Sequence, residues 1–262
     1  MHVTPLAPLG ARVEGVDLAR LDADRRRALV PVLGALLAEH GVLVLPEQHD
    51  LDDDGFLALL RAFGELAFTV GETPLATHPE LNVISNVGRT TPPRSSFHVD
   101  TSYVSDPPAY TALRAVAVPE RGGATQFSDQ YAAAATLPDD LLALVRDRTI
   151  THVVTGVDPG PDQESSAEHP VLRPHPVTGR PALYLTTAAR CASVSGLDEQ
   201  ASRDLVARLL EHSTREENVL RHPWSAGDVV MWDNACVMHR ADHSDVHGDR
   251  VMHRGMVAGH VG

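Results

Sequence analysis

Residues two apart along an extended segment point to the same face, and Phe97-His98-Val99-Asp100 sets an imidazole and a carboxylate in that relation. The segment closes a loop rich in Pro and Ser and leads into a stretch that reads as a strand. A His and an Asp converging in this way can hold one divalent ion. One further His completes a 2-His-1-carboxylate triad, which binds Fe(II) and leaves three cis positions open. Taken alone, the pair has a plain alternative, a surface His beside an Asp. Downstream, Trp232-Asp233-Asn234 ends a strand, His239 follows, and Arg254 lies 15 residues later in a second strand. His243, His247 and His253 crowd the same region. His253 adjoins Arg254 and so faces the other side of its strand, whereas Arg250, four residues before Arg254, shares its side.

In this order the pieces resemble the taurine dioxygenase-like (TauD/TfdA) family of Fe(II)- and 2-oxoglutarate-dependent dioxygenases. The resemblance is carried by Phe-His-Val-Asp-Thr-Ser-Tyr at 97–103, Gly-Gly-Ala-Thr-Gln-Phe at 122–127 and His-Pro-Val-Thr-Gly at 175–179. Met-Trp-Asp-Asn at 231–234 with His239, and Arg-Val-Met-His-Arg-Gly at 250–255, complete it over nearly the whole chain. It implies that His98, Asp100 and His239 are the iron ligands, His239 being preferred over its neighbours by its offset from Trp-Asp-Asn. It implies that Arg254 forms a fork to the distal carboxylate of 2-oxoglutarate, a geometry Lys does not reproduce. Thr125 would add a hydroxyl to the same carboxylate, with Arg250 in support.

The implied reaction consumes O2 and 2-oxoglutarate, releases succinate and carbon dioxide, and oxidises a C–H bond of a small molecule, hydroxylation being the first expectation. Desaturation, cyclisation and oxidative cleavage stay open, while halogenation is disfavoured because Asp100 occupies the position that a halogenase leaves to chloride. Where taurine-specific relatives place a His and a Tyr after Phe-Gly-Glu-Leu, this chain has Ala67-Phe68-Thr69-Val70-Gly71, and Thr186-Thr187-Ala188-Ala189-Arg190 replaces an Asn and a bulky aromatic. A roomier pocket follows, suited to an amino-acid derivative or a natural-product intermediate rather than taurine. Arg94, four residues before His98, is a candidate for a substrate carboxylate, with Asn86 and Tyr103 as further candidates. Two rival classes share the metal residues: a cupin-type isomerase or hydrolase, and a binding protein that keeps the fold without turnover. Neither needs a dicarboxylate anchor such as Arg254 with Thr125.

These residues need elements to hold them. Leu21–His40 carries apolar residues at helical spacing after Asp22 as an N-cap, with Pro31 as a kink or true start, and Gly41 ends it. Val42–Leu45 reads as a buried strand, and a second helix follows the Asp-rich cap at 50–54. From Leu81 the chain turns to short strands separated by Pro and Gly: 81–85, 109–118, 125–128, 228–233 and 250–257. Tyr131–Val145 and Asp198–His212 read as helices, and His175–Arg180 as a hairpin connection in which Gly179 takes positive φ. The expected fold is α+β, a double-stranded β-helix (jelly-roll) core flanked by helices. A single domain over 1–262 is expected, with a helical insertion region at about 129–225.

The composition sets the outer limits. The 262 residues suffice for a core without staples, and a net charge of −13 argues against nucleic acid as partner. Among 15 His most are bland, and only 2 Cys, Cys191 and Cys236, suit a reducing compartment. No secretory pattern opens the chain and no apolar run approaches a membrane span. The expectation is a cytoplasmic enzyme with a small-molecule substrate and no membrane partner; the sequence does not fix its oligomeric state, a homo-oligomer (dimer or tetramer) being what the resemblance allows, since relatives of that family are often dimers or tetramers.

Overall fold

A computed structural model describes residues 1–68, 71–88 and 95–261. Strands β1 (His2–Pro5) and β2 (Ala11–Glu14) precede helix α1 (Ala23–His40), strand β3 (Val42–Leu45) and helix α2 (Asp53–Phe63). The carboxylate of Asp22 accepts the Arg25 N–H at 2.8 Å, and Gly41, at φ 75°, returns its N–H to Leu37 O. Pro31 neither starts nor ends α1. The residue that loses a hydrogen bond to it, Arg27, lies on the exposed face, where the freed carbonyl is open to solvent. Asp52 caps α2 in the same way, and Phe56, Leu57, Leu59, Leu60 and Phe63 form its buried face.

After β4 (Leu66–Ala67) come β5 (Asn82–Ser85), β6 (Tyr110–Ala117) and β7 (Thr125–Asp129). The helix expected over 131–145 is two, α3 (Gln130–Ala135) and α4 (Asp139–Val145), because Pro138 forces an extended backbone at the junction and becomes the N-cap of α4. The region from 129 to 225 is not mainly helical. It contains β8 (Thr149–Val153), β9 (Ser166–Pro170), β10 (Leu172–Pro174), β11 (Pro181–Leu183) and β12 (Cys191–Val194) before α5 (Glu199–Ser213) and β13 (Val219–His222). The hairpin turn between β10 and β11 does place Gly179 at φ 69°. The chain closes with β14 (Val229–Asp233), β15 (Val237–Ala241) and β16 (Val251–Val257).

The fold is thus mixed α and β, with several sheets. The largest sheet runs β1-β2-β3-β14-β6-β16-β4, with β5 also paired to β16, and only β2 and β3 are parallel. A three-stranded sheet, β13-β7-β15, lies across it. The period of two explains the layering. Leu43, Leu45, Met231, Val229, Tyr110 and Ala112 pack on α1 and α2. Their alternates Val42, Val44, Val230, Trp232 and Leu113 meet Phe127, Leu220 and Val237 of the smaller sheet. Gly255 lies where the Leu60 side chain presses on the β16 backbone, and a Cβ there would clash. His98, Asp100, Thr125, His239, Arg250 and Arg254 gather beside Trp232 and Leu113 on the inner side of this two-sheet layer. Among the described residues no helix is long and apolar enough to cross a membrane.

Candidate metal centre and co-substrate pocket

His98 is not the lead into a strand. Its backbone instead pairs directly with that of His239 on β15, His98 N to His239 O at 3.0 Å and His239 N to His98 O at 2.9 Å. This bridge sets the two rings 4.3 Å apart, and the turn after it brings Asp100 beneath both. One ligand atom from each of His98, Asp100 and His239 lies within 4.8 Å of the others.

The hydrogen bonds decide what these atoms present. His98 Nδ1 lies 2.9 Å from the Ser96 carbonyl, which can only accept, so Nδ1 carries the proton. That leaves Nε2 facing Asp100 Oδ1 at 3.6 Å, while His239 Nε2 lies 3.8 Å from Asp100 Oδ2. Burial alone would raise the Asp100 carboxyl, but His239 and the Arg254 guanidinium beside it outweigh burial and hold it well below the usual carboxylate range. Burial pushes His239 down to about 3. At neutral pH a carboxylate therefore faces the neutral His239 imidazole and, across from it, His98 Nε2, an arrangement that a divalent cation completes. A His whose far nitrogen is tied to a backbone carbonyl is the usual support for a metal ligand, and the set fits Fe(II).

A second cluster, His175, Asp233 and Cys236, brings ligand atoms equally close, but its protons are already spoken for. His175 Nε2 donates to Asp233 at 3.0 Å, its Nδ1 accepts the N–H groups of Val177 and Thr178, and Asp233 also takes His260 and the Ala235 N–H. This is a clasp for the hairpin turn and the end of β14.

Thr125 opens β7, and the two glycines before it explain its neighbourhood. Gly122 and Gly123 take φ of 75° and 69°, and a Cβ at 123 would stand 3.0 Å from Arg250 Cδ. The Arg250 stem lies in that space, with Nε donating to the Gly123 carbonyl at 2.8 Å and Nη2 to Thr125 Oγ1 at 3.3 Å. Thr125 Oγ1 also accepts Trp224 Nε1 at 3.0 Å. With both lone pairs used, the Thr125 hydroxyl proton is free to point at a ligand. Arg250 is 2% exposed and has no carboxylate partner among the described residues, and burial pulls it down to about 10, still a cation at neutral pH. A buried guanidinium without a counter-charge is costly, and an incoming carboxylate removes that cost.

The resemblance implies that Thr125 serves the same carboxylate as Arg254, whereas Thr125 is hydrogen-bonded to Arg250, the residue expected only in support. The two arginines share a face of the strand and both line the cavity, but among the described residues the hydrogen bond to Thr125 comes from Arg250. Arg254 Nη1 lies 3.4 Å from Asp100 Oδ1, and Nη2 lies 3.3 Å from both Asn82 Oδ1 and Glu72 Oε1. His253, on the opposite side as expected, pairs with Asp53 of α2 at 2.6 Å.

These groups open into a cavity of about 880 Å³. Asn86 lines it, but Oδ1 accepts the Arg250 N–H and Nδ2 donates to the Gly248 carbonyl, so it fastens the start of β16. Tyr103 is 4% exposed and is not among the residues that line the cavity. Arg94 lies outside the described residues, as do Thr69 and Val70. The structure adds cavity residues that the sequence reading did not select: Glu72, Arg190 and Arg240. Arg190 anchors Nε on Thr155 at 3.1 Å and forms no ion pair among the described residues. Its one signal in the sequence was its place at the end of the small-residue segment 186–190.

The sequence matches the family described as "Taurine catabolism dioxygenase TauD, TfdA family" over residues 2–256, and the chain belongs to that family. It is 34% identical to the alpha-ketoglutarate-dependent 2,4-dichlorophenoxyacetate dioxygenase of Cupriavidus pinatubonensis, covering 95% of each chain. It is 30% identical to the alpha-ketoglutarate-dependent sulfate ester dioxygenase of Pseudomonas putida, covering 100% of this chain and 90% of the relative. Among solved structures it is similar to a taurine dioxygenase from Burkholderia xenovorans, at a TM-score of 0.83 and 32% identity, covering 99% of this chain and 91% of that one. It is similar also to AAD-2 in complex with Mn(II) and N-oxalylglycine, at a TM-score of 0.83 and 26% identity, covering 98% and 97%.

Proposed function

We propose that this chain is an Fe(II)- and 2-oxoglutarate-dependent dioxygenase that oxidises a C–H bond of a small organic anion, hydroxylation being the outcome to test first. The observation that carries it is the convergence of His98, Asp100 and His239 in one cavity with Arg250, which is buried and has no carboxylate partner among the described residues. Held by the three side chains, Fe(II) supplies dioxygen activation and the oxidative decarboxylation of 2-oxoglutarate to succinate. Arg250 and the free proton of Thr125 bind the distal carboxylate, and the fork of Arg250 fixes its plane. Arg254, against Asp100, supports the metal-ligand carboxylate and faces whatever anion binds beside it. The apolar walls from Trp232 and Leu113 limit water at the reacting end.

An anionic substrate is supported by the lining charges, Arg190, Arg240, Arg250 and Arg254 against Glu72 and Asp100. After the dianionic co-substrate takes Arg250, cationic groups remain. The relatives named above act on a phenoxyacetate and on sulfate esters. A substrate larger than taurine, such as an amino-acid derivative or natural-product intermediate, is supported by the cavity size and the small wall Thr187-Ala188-Ala189. We read the two-sheet layer as a double-stranded β-helix within a single cytoplasmic domain, a placement supported by free, buried Cys191 and Cys236. The test is succinate release in air, scored across phenoxyacetates, alkyl sulfates and N-acyl amino acids. Release with one class and not with its uncharged amide or alcohol is expected. Metal-dependent turnover without succinate would return the cupin-type reading.

A further inference from the structure

We propose that Asn234 is a positioning residue for two of the three metal-binding side chains, holding Asp100 through Thr111 and His239 through Trp232. The proposal rests on the reading of His98, Asp100 and His239 as the metal ligands. Register creates the arrangement: Trp232 on β14 pairs with Thr111 on β6, and the turn after Asp233 folds Asn234 back between them. The Asn234 N–H fixes that fold on the Ala109 carbonyl at 2.8 Å.

The direction of every hydrogen bond follows from one fixed donor. An indole N–H can only donate, and Trp232 Nε1 lies 3.2 Å from Asn234 Oδ1. That settles which way the amide is turned. Asn234 Nδ2 therefore faces Thr111 Oγ1 and donates to it at 2.9 Å. Thr111 turns its own proton to Asp100 Oδ2 at 2.8 Å. The chain runs one way from Trp232 through Asn234 and Thr111 to a carboxylate oxygen that must accept. Trp232 and Thr111 are fully buried, Asn234 is 1% exposed and Asp100 4%, so water cannot replace any link. At the other end the Trp232 ring lies 4.5 Å from the His239 ring, so the bond that orients the indole also limits the tilt of that imidazole. One buried amide thereby sets the rotation of the carboxylate and the wall against which His239 rests.

Three substitutions separate positioning from bulk packing. Thr111→Val keeps shape and removes the donor to Asp100. Thr111→Ser restores the hydroxyl. Asn234→Asp keeps the acceptor for Trp232 but withdraws the donor to Thr111, whose single proton is then shared between two carboxylates. The measurement is Mn(II) affinity of the full chain without co-substrate, read from the free-Mn(II) electron paramagnetic resonance signal, beside melting of each metal-free protein. Thr111→Val and Asn234→Asp are each expected to weaken Mn(II) binding by roughly 10- to 100-fold, with Thr111→Ser within about 3-fold of the parent. Parent-like Mn(II) affinity in Thr111→Val overturns the proposal, and so does failure of Thr111→Ser to recover it. If Asn234→Asp does not fold, the two Thr111 variants decide. His239→Ala isolates the underlying reading: if it binds Mn(II) like the parent, or the parent binds none, the ligand assignment fails and the proposal falls with it.

Discussion

Replacing Arg250 by Met removes a guanidinium that is 2% exposed and hydrogen-bonded to two neutral partners, the Gly123 carbonyl and Thr125 Oγ1. Two charge-assisted hydrogen bonds to the distal carboxylate of 2-oxoglutarate are worth about 1.5–3 kcal/mol each. Their loss costs on the order of 3–6 kcal/mol, or roughly 10²- to 10⁴-fold in Kd. The unliganded protein should respond with the opposite sign. A buried charge without a counter-ion is unfavourable, so Arg250→Met is expected to melt at or above the parent temperature while losing the stabilisation that 2-oxoglutarate confers. Arg250→Lys keeps a charge without the fork and should recover only part of the affinity. Thr125→Val removes one neutral donor and should cost about 10-fold. The assay is calorimetric titration of 2-oxoglutarate into the Mn(II)-loaded protein, with Mn(II) affinity checked separately. Parent-like 2-oxoglutarate binding in Arg250→Met, with binding lost in Arg254→Met, would refute the pairing of Thr125 with Arg250. It would restore the pairing with Arg254 read from the sequence.

His239→Ala is expected to abolish metal binding, whereas His253→Ala should spare it and only lower the melting temperature, since His253 is engaged with Asp53 on the helix side of β16; equilibrium dialysis with Fe(II) distinguishes them. His152 is fully buried, stacks on Tyr184, and is pushed from 6.5 down to about 3 by burial. Between those values the unfolded chain binds the extra proton, so stability is complete above about pH 6.5 and falls as pH drops, by roughly 3 kcal/mol at about pH 4. His152→Phe should flatten that slope in urea titrations, and an unchanged slope would contradict it. Glu72 must yield Arg254 to an anion bound beside Asp100, so Glu72→Gln should lower KM for the best anionic substrate by about 2- to 5-fold at low salt. A raised KM would show that Glu72 contacts the substrate itself.

The caps and strands nearest the site were legible because their signals are local. Asp22 and Asp52 cap their helices, Gly41 and Gly179 take positive φ, and the period of two sets His253 against Arg254. The three converging side chains were legible from order and spacing. What escaped depends on distance through space. The period of two says that Arg250 and Arg254 share a face, but not that Thr125, on a different sheet, stands opposite the first. Asn234 shows in the sequence only as the end of a strand, because its partners Thr111 and Trp232 meet only through strand register. Glu72, Arg190 and Arg240 belong to no motif, and only the folded walls bring them to one cavity. The mixed region from 129 to 225 looked helical because β8, β9 and β10 are short, and the alternating burial of β8 and β9 is masked by the polar inward residues His152 and His169.

The most direct measurement is anaerobic addition of Fe(II) and 2-oxoglutarate to the full chain, followed by admission of air. A weak absorption band near the middle of the visible range, requiring both additions and absent from His239→Ala, is the expected result, with succinate formed once oxygen enters. No band and no succinate across the substrate panel would contradict the assignment of His98, Asp100 and His239 to iron and of the adjoining cavity to 2-oxoglutarate.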